Sequence, residues 1–247
     1  MTPGRFFSRL LDQGKKCYHI FQSTSFENHW KHLGRLITFE GLDGSGKSTQ
    51  LALEAERLRG KGFQVTTTHE PGGTAVGQQV REIVLHAPFG SVTPLAELAL
   101  MFAARAQHIE QGILPALKAG DLVLCDRFTD SSMAYQGYGR GVPLDAIRSL
   151  ESLLCQGVRP DLTLILDLDP ETGAHRTGSR NRAASEPATR FEQEGIEFFR
   201  RVQQGYWEIA RQEPGRVRVV DGRGSIAEVH ARVRQAVDEF LQRVGMV

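Results

Sequence analysis

One short stretch of the chain has the residue types and spacing of a phosphate-binding loop (P-loop). Residues 41–48 fit the pattern Gly-x-x-x-x-Gly-Lys-[Ser/Thr] without a mismatch. Glycines let backbone N–H groups turn inward around a phosphate, and the following helix presents its positive end to the same anion. Lys47 can reach the outer phosphates of ATP, and the Ser48 hydroxyl can ligate Mg²⁺. The residues predicted to bind the triphosphate are Gly41, Leu42, Asp43, Gly44, Ser45, Gly46, Lys47, Ser48 and Thr49.

This loop alone does not identify a reaction, because GTPases, transporters and kinases share it. The sequence has no Asn-Lys-x-Asp run that would read guanine and no Leu-Ser-Gly-Gly-Gln run typical of transporter ATPases. A chain of 247 residues is also short for a motor or a helicase. Small-molecule kinases and ligases therefore remain the leading classes.

A second polar pair, Asp126 and Arg127, directly follows the short apolar run 122–125. A carboxylate at the end of a buried strand beside a P-loop can hold Mg²⁺, directly or through water. The planar guanidinium of Arg127 can bind a phosphate through two hydrogen bonds. We therefore predict a metal site at Ser48 and Asp126 and an acceptor-phosphate clamp at Arg127.

Short apolar runs alternate with helical patterns from residue 34 onward, which predicts the elements that position these groups. The runs lack polar alternation, so they indicate a parallel sheet covered on both faces, an α/β fold with three αβα layers. Ligands bind such sheets beyond the carboxyl ends of the strands, where the motif residues fall. The predicted strands are 36–39, 63–68, 122–125, 162–166 and 217–220, and the clearest predicted helices are 48–59 and 95–119.

Composition excludes several classes of protein. Thirty Lys and Arg residues against 29 Asp and Glu leave a formal charge of +1, which argues against nucleic acid or anionic membrane as a partner. No apolar stretch approaches the roughly 18 residues of a membrane span, and no secretory signal pattern is recognised. The three cysteines lack the spacing of a zinc or redox site. We expect a cytoplasmic protein.

The chain divides into two parts of different character. Residues 1–33 show no clear strand or repeat and are mildly basic, so we expect a poorly ordered extension. Residues 34–247 are expected to form one domain. Within it, residues 175–190 are rich in arginine and poor in apolar residues, which indicates a mobile lid over the site.

Four blocks in the same order resemble the bacterial thymidylate kinases. Residues 126–137 (DRFTDSSMAYQG) resemble that family's acceptor motif, and residues 70–74 (EPGGT) its Glu-Pro-Gly-Gly-Thr turn. Residues 102–108 (FAARAQH) resemble its substrate helix, and residues 190–194 (RFEQE) the segment after its lid. The resemblance spans about residues 34–240 and implies a nucleoside monophosphate kinase fold. It leaves the N-terminal extension unexplained.

The resemblance implies a role for each block. Arg105 would hydrogen-bond a thymine carbonyl, while Gln136, helped by Ser132, would read the pyrimidine edge. Tyr135 would crowd the 2′ position of the sugar, and Asp43 would meet the 3′-hydroxyl or the metal shell. The substrate site implied in this way comprises Asp43, Glu70, Pro71, Phe102, Arg105, Arg127, Ser132, Tyr135 and Gln136.

The chain departs from the family pattern at several positions. His69 replaces the usual arginine before Glu-Pro-Gly, and Thr189 replaces an aspartate. Either Met101 or Phe102 could cover the base. Some family members carry an arginine in the P-loop, whereas this chain has Gly44 and Ser45 at the corresponding places. The catalytic arginine would then come from the lid, with Arg180 or Arg182 the first candidates and Arg176 or Arg190 the next.

The implied activity is Mg²⁺-dependent transfer of the γ-phosphoryl group of ATP to dTMP, giving dTDP, with Lys47 and arginines stabilising the charge. The resemblance also implies a homodimer. Three alternatives remain open at this point: a kinase for another nucleoside or its monophosphate, a P-loop binding module that docks through residues 1–33, and an ATP-dependent ligase of the dethiobiotin synthetase type.

Overall fold

Five parallel strands form the sheet at the centre of the domain. The computed structural model describes residues 34–185 and 187–247, so the expectation for residues 1–33 lies outside it. The strands are β1 (Arg35–Glu40), β2 (Val65–His69), β3 (Leu122–Asp126), β4 (Leu162–Asp167) and β5 (Val217–Asp221), in the order β2-β3-β1-β4-β5. All five predicted strands and their parallel arrangement are confirmed.

Helices connect successive strands, and one more helix follows the last strand. They are α1 (Lys47–Gly60), α2 (Ala75–His86), α3 (Pro94–His108), α4 (Leu114–Ala119), α5 (Thr129–Ser132), α6 (Leu144–Leu154), α7 (Pro170–Ala184), α8 (Ile196–Gln212) and α9 (Ile226–Arg243). A π-helical segment, Ile109–Ile113, joins α3 to α4, so the predicted helix over 95–119 is continuous but changes its hydrogen-bond pattern. A second π-helical segment, Met133–Gly139, follows α5 directly.

Both faces of the sheet are buried, which explains the apolar runs without alternation. Ile37 and Phe39 of β1 pack with α1 and α9 on one side. Leu36 packs with α3 and the π-helical segment after it on the other. Since side chains alternate along a strand, Glu40 shares the face of Leu36 and is fully buried there. The predicted three-layer αβα architecture is confirmed.

Helix α7 forms most of the segment expected to be a lid. Its N-cap is Asp169, whose side chain accepts a hydrogen bond from the backbone N–H of Thr172. The buried residues of the helix, Pro170, Gly173 and Thr177, all lie in its first half. The arginine-rich second half is therefore the part that projects from the domain.

Among the helices of residues 34–185 and 187–247, none combines the length and apolar character needed to cross a bilayer.

Candidate active site

The phosphate cradle connects β1 to α1. Gly46 caps α1 in a left-handed conformation (φ 96°) and provides no side-chain cap, so the first N–H groups of α1 are left to bind an anion. The Lys47 ammonium donates to the Leu42 carbonyl at 2.9 Å and lies 3.9 Å from Asp43 Oδ1. Burial and the neighbouring Arg127 lower the pKa of Lys47 to about 8. This lysine is held at the loop by protein contacts before any ligand arrives.

The cradle packs closely against the start of α7. A Cβ atom at Gly44, whose φ is +80°, would lie 2.4 Å from the Gly173 carbonyl oxygen and 2.9 Å from Thr177 Oγ1. A Cβ atom at Gly173 would lie 2.7 Å from the Asp43 carbonyl oxygen. Two backbones therefore meet here without intervening side chains.

Ser48 and Asp126 are adjacent, as the sequence predicts. The Ser48 hydroxyl donates to Asp126 Oδ2 at 2.6 Å. Hydroxyl and carboxylate oxygens suit Mg²⁺, which keeps several waters and binds nucleotide phosphates rather than an all-protein cage. No group of three or more His, Cys, Asp or Glu residues that could hold a metal occurs in the described part of the chain. The residues present fit an ion whose remaining ligands are phosphates and water.

A large cavity of about 1470 Å³ opens at the carboxyl edge of the sheet. One wall is the P-loop, and the adjoining wall contains Asp126, Arg127 and Glu70. Helix α2 adds Gln78 and Arg81. Residues from α7 and the following segment complete the rim: Arg176, Arg180, Asn181, Pro187, Thr189 and Glu192. His69, the departure from the family pattern, also lines this cavity.

Arg127 lies where the two walls meet. Its backbone is left-handed (φ 70°), and its N–H donates to the Phe39 carbonyl of β1 at 2.9 Å. Arg127 Nη2 donates to Asp43 Oδ1 at 2.7 Å and to the Tyr135 hydroxyl at 3.2 Å. Burial alone would raise the pKa of Asp43, but Arg127 and Lys47 hold it below its usual value. The predicted clamp is thus anchored to the P-loop.

Arg105 is a buried cation with every nitrogen engaged. Its Nε donates to Glu70 Oε2 at 2.6 Å, Nη1 to Ser132 Oγ at 3.1 Å and Nη2 to the Phe128 carbonyl at 3.1 Å. The second Glu70 oxygen contacts His108 Nδ1 at 3.0 Å. The Glu70 carboxylate is therefore directed at Arg105 and His108, next to the Pro71 turn. The structure brings Glu70, Arg105 and Ser132 together.

Gln136 is fully buried, and its contact with a carboxylate shows which end of its amide is the nitrogen. Its Nε2 donates to Glu97 Oε1 at 2.7 Å, an assignment that the carboxylate, which only accepts, makes unambiguous. Gln136 Oε1 has no hydrogen-bond partner within residues 34–185 and 187–247. The same Glu97 accepts from Arg190 Nη2 at 2.6 Å. Gln136 is therefore left with a free carbonyl acceptor.

Met101 and Phe102 belong to different cores. Phe102 is fully buried with Leu36 and Leu98, and the Arg105 guanidinium lies 4.6 Å from its ring centre. Met101 belongs to the cluster that contains Leu42 and Tyr135. Both side chains are buried and neither lines the cavity, so the structure does not decide between them as the residue that covers a base.

The lid arginines separate into three environments. Arg176 donates to the Gly44 carbonyl at 3.4 Å, and Arg180 lies 3.5 Å from Glu192, so both line the cavity. Arg182 contacts Ser179 and does not line it. Arg190 is only 2% exposed and donates to the Val84 carbonyl and Glu97, which makes it a structural cation.

Arg81 is a cavity residue that the sequence analysis missed. Its Nη1 donates to the Pro71 carbonyl at 3.1 Å. Burial, and then Arg127, lower the pKa of its guanidinium. No motif marks this arginine, but Gln78, Arg81 and Leu85 follow the helical spacing i, i+3, i+7 and share the cavity-lining face of α2. This helical spacing was the sequence feature that could have identified Arg81 as a cavity residue.

A P-loop at the end of the central strand, with an arginine beside it in the same cavity, defines a P-loop phosphotransferase of the nucleoside monophosphate kinase type. A family model described as thymidylate kinase matches residues 39–233. The thymidylate kinase of Pelobacter propionicus is 48% identical over 86% of this chain and 98% of its own length. That of a Synechococcus strain is 51% identical over 83% of this chain and 95% of its own.

The crystal structure of thymidylate kinase from Ehrlichia chaffeensis superposes with a TM-score of 0.67, at 35% identity over 83% of this chain and 98% of that one. The chain belongs to the thymidylate kinase family. The predicted family and fold are confirmed, as is the predicted class of enzyme, a phosphotransferase acting on dTMP.

Proposed function

We propose that the γ-phosphoryl group of ATP passes to dTMP in the cavity between the P-loop and Arg127, giving dTDP. One observation carries this proposal: Lys47 and Arg127 approach the same atom. Asp43 Oδ1 lies 3.9 Å from Lys47 Nζ and 2.7 Å from Arg127 Nη2. A cation for the donor and a cation for the acceptor thus lie side by side, so the phosphates they bind would be neighbours, as in-line transfer requires.

The chemistry then needs positioning and charge stabilisation rather than a general base, because a phosphate monoester oxygen is already nucleophilic. Lys47 would bind the outer phosphates of ATP, and Arg127, with Arg81 beside it, the acceptor phosphate. Arg180 is the lid arginine that we assign to the transferring group, with Arg176 second and Arg182 last. Mg²⁺ held by Ser48 and Asp126 would neutralise charge on the β- and γ-phosphates.

The acceptor base would be recognised by a donor and an acceptor in combination. Nη1 and Nη2 of Arg105 each carry a second N–H besides the one donated to Ser132 or Phe128, and this hydrogen would suit the O4 carbonyl of thymine. Gln136 offers a carbonyl oxygen, which would suit the N3–H. Cytosine carries an amino donor in place of O4 and an acceptor at N3, so it would leave both the Arg105 N–H and the Gln136 carbonyl without a hydrogen-bond partner. We assign Tyr135 and Asp43 to the sugar, and Glu70 and Pro71 to the turn that holds Arg105. Phe102 supports Arg105 from the core.

A panel of nucleotides tests this function. The full chain is incubated with ATP, Mg²⁺ and either dTMP, dUMP, CMP, GMP or AMP, and kcat/KM is measured for each. We expect dTMP to be the best substrate and CMP to be worse by at least about 100-fold, because buried polar groups would be left unpaired. Equal use of CMP would contradict the assignment of Arg105 and Gln136. ATP hydrolysis stimulated by no monophosphate would favour a binding module.

We further propose a cytoplasmic homodimer. The apolar residues Val76 and Ile83, seven positions apart on α2, and Leu95 of α3 are exposed, and a second copy of the chain would cover them in a dimer. Sedimentation equilibrium of the wild-type chain and of Ile83→Glu tests the dimer. We expect a dimer for the former and a shift toward monomer for the latter, and a monomeric wild-type chain would contradict the proposal.

A further inference from the structure

Glu40 is the last residue of β1 and lies directly before the P-loop, yet it does not line the cavity. Its side chain is fully buried. It receives three hydrogen bonds: from the backbone N–H of Phe128 at 2.7 Å, from the Ser131 hydroxyl at 2.5 Å and from the Tyr206 hydroxyl at 2.9 Å. A buried carboxylate is costly, so an arrangement that surrounds it with donors calls for an explanation.

The partners of Glu40 are also the partners of Arg127. Arg127 Nη1 donates to Ser131 Oγ at 3.1 Å and to the Tyr206 hydroxyl oxygen at 3.3 Å. Arg127 therefore has two anchors. Nη2 contacts the partly exposed Asp43 on the cavity side and the Tyr135 hydroxyl beside it. Nη1 contacts the hydroxyls of Ser131 and Tyr206 in the interior. Only the interior anchor is out of reach of an incoming nucleotide.

Glu40 acts on Arg127 through the direction in which the Ser131 and Tyr206 hydroxyls donate their hydrogens. Ser131 and Tyr206 each have one O–H hydrogen, and both can donate it to the same Glu40 oxygen. Their lone pairs then remain available to accept from Arg127. A neutral side chain in place of the carboxylate would free at least one hydroxyl to turn its hydrogen toward the guanidinium, where it would compete with an Arg127 N–H.

We propose that Glu40 is a positioning residue of the acceptor site, which orients the Arg127 guanidinium through Ser131 and Tyr206 so that it binds the acceptor phosphate. The inference rests on the proposed function, because it assigns Arg127 to that phosphate. The nearby carboxylate of Asp130 has a different partner, since Arg216 donates to both of its oxygens, at 2.7 and 2.8 Å. Asp130 is therefore not a second carboxylate that could orient Arg127 in the same way.

The test compares two ligands that differ only in the phosphate. Affinities for dTMP and for thymidine are measured by competition on the full chain at about pH 8.5, where the Glu40 carboxyl, with a pKa of about 7, is ionised. The wild type and Glu40→Gln are compared, together with the KM for ATP. We expect Glu40→Gln to weaken dTMP by about 10- to 100-fold, the range for loss of a hydrogen-bonded charge. Thymidine affinity and the KM for ATP should change by less than about twofold, because neither ligand uses the clamp.

Glu54→Gln is the matched control. Glu54 is another fully buried glutamate, paired with Arg57 on the opposite layer and remote from Arg127. We expect it to leave the ratio of dTMP to thymidine affinity unchanged. Equal weakening of both ligands by Glu40→Gln, or unchanged dTMP affinity, would overturn the inference.

Tyr206→Phe keeps the inference testable if Glu40→Gln fails to fold. It removes one hydroxyl of the interior anchor and keeps the ring, so it should also weaken dTMP more than thymidine, and equal weakening would again overturn the inference. A wild-type chain that binds no dTMP would refute the proposed function and the inference with it. If the wild-type chain binds dTMP but Glu40→Gln and Tyr206→Phe do not weaken dTMP more than thymidine, the inference is refuted and the proposed function stands.

Discussion

The two walls of the cavity are constructed in different ways. The donor wall is one continuous segment, residues 41–49, in which we assign phosphate binding to backbone N–H groups and one lysine. The acceptor wall depends on side chains that are far apart in sequence, such as Glu70, which lines the cavity, and its buried partner Arg105, which does not. We infer that the donor wall is robust to most changes elsewhere, whereas the acceptor wall is sensitive to changes in its buried partners.

The largest expected effect tests the donor wall. Lys47→Ala removes the only P-loop side chain assigned to the outer phosphates, so turnover should fall by about 10³-fold or more. Steady-state kinetics with saturating dTMP measures this change. Lys61→Ala, which removes an exposed lysine paired with Asp238 at the end of α1, should leave kcat unchanged. A kcat within tenfold of wild type for Lys47→Ala would contradict our view of the donor wall.

Arg127→Ala tests whether the acceptor wall can be damaged without affecting ATP binding at the donor wall. We expect kcat/KM for dTMP to fall by about 10²- to 10³-fold, because the acceptor phosphate loses its charged partner. ATP binding, measured by calorimetry without dTMP, should stay within about threefold. Arg148→Ala, which removes an exposed arginine paired with Asp145, is the control and should change neither. A near-normal rate for Arg127→Ala would refute its assignment.

The lid arginines offer a matched pair. Arg180 lines the cavity, whereas Arg182, two residues later on the same helix, does not. Arg180→Ala should lower kcat by about 10- to 100-fold, with little change in the KM for ATP, if it acts on the transferring group. Arg182→Ala should leave kcat within about twofold. The reverse order would assign the catalytic role to Arg182.

The smallest expected effect concerns stability alone. Burial and the nearby Asp130 raise the pKa of Glu40 to about 7, against the opposing effect of Arg127. The folded chain then retains a proton between about pH 4.5 and 7 that the unfolded chain has released, so this group's contribution to stability is lost as the pH rises through that window. Between pH 5 and pH 8, the free energy of unfolding should fall by on the order of 1–3 kcal/mol more in the wild type than in Glu40→Gln. Urea unfolding at both pH values measures this. If the free energy of unfolding falls equally in the wild type and Glu40→Gln between these pH values, the raised pKa of Glu40 is contradicted.

The features that depend on a short stretch of chain could be predicted from the sequence. Strands β1, β3 and β4 were predictable because both faces of the sheet are covered there, which keeps these runs largely apolar, whereas β2 (VTTTH) was predictable from its β-branched residues. The cradle was predictable because its function requires glycines and a lysine at fixed spacing. Asp126 and Ser48 followed from the rule that strand ends meet at one edge of a parallel sheet.

The features that the sequence did not predict depend on contacts between distant residues. Glu40 and Ser131 are 91 residues apart, and Glu97 and Arg190 are 93 residues apart. Nothing near Arg190 distinguishes it from the other lid arginines, so only the fold shows that it is buried. Met101 and Phe102 are neighbours in an apolar helix, and the sequence could not show that they pack into different cores. Such pairs are determined by three-dimensional packing rather than by local pattern.

The contact between Gly44 and Gly173 restricts the evolutionary paths open to this chain. Any side chain at position 44 would collide with the Gly173 carbonyl oxygen, and any side chain at 173 would collide with the backbone of Asp43. An arginine at position 44, one of the two places where the resemblance puts one in some family members, would therefore require the start of α7 to shift as well. Position 44 and the start of α7 can change only together, so we expect Gly44→Arg alone to be poorly tolerated.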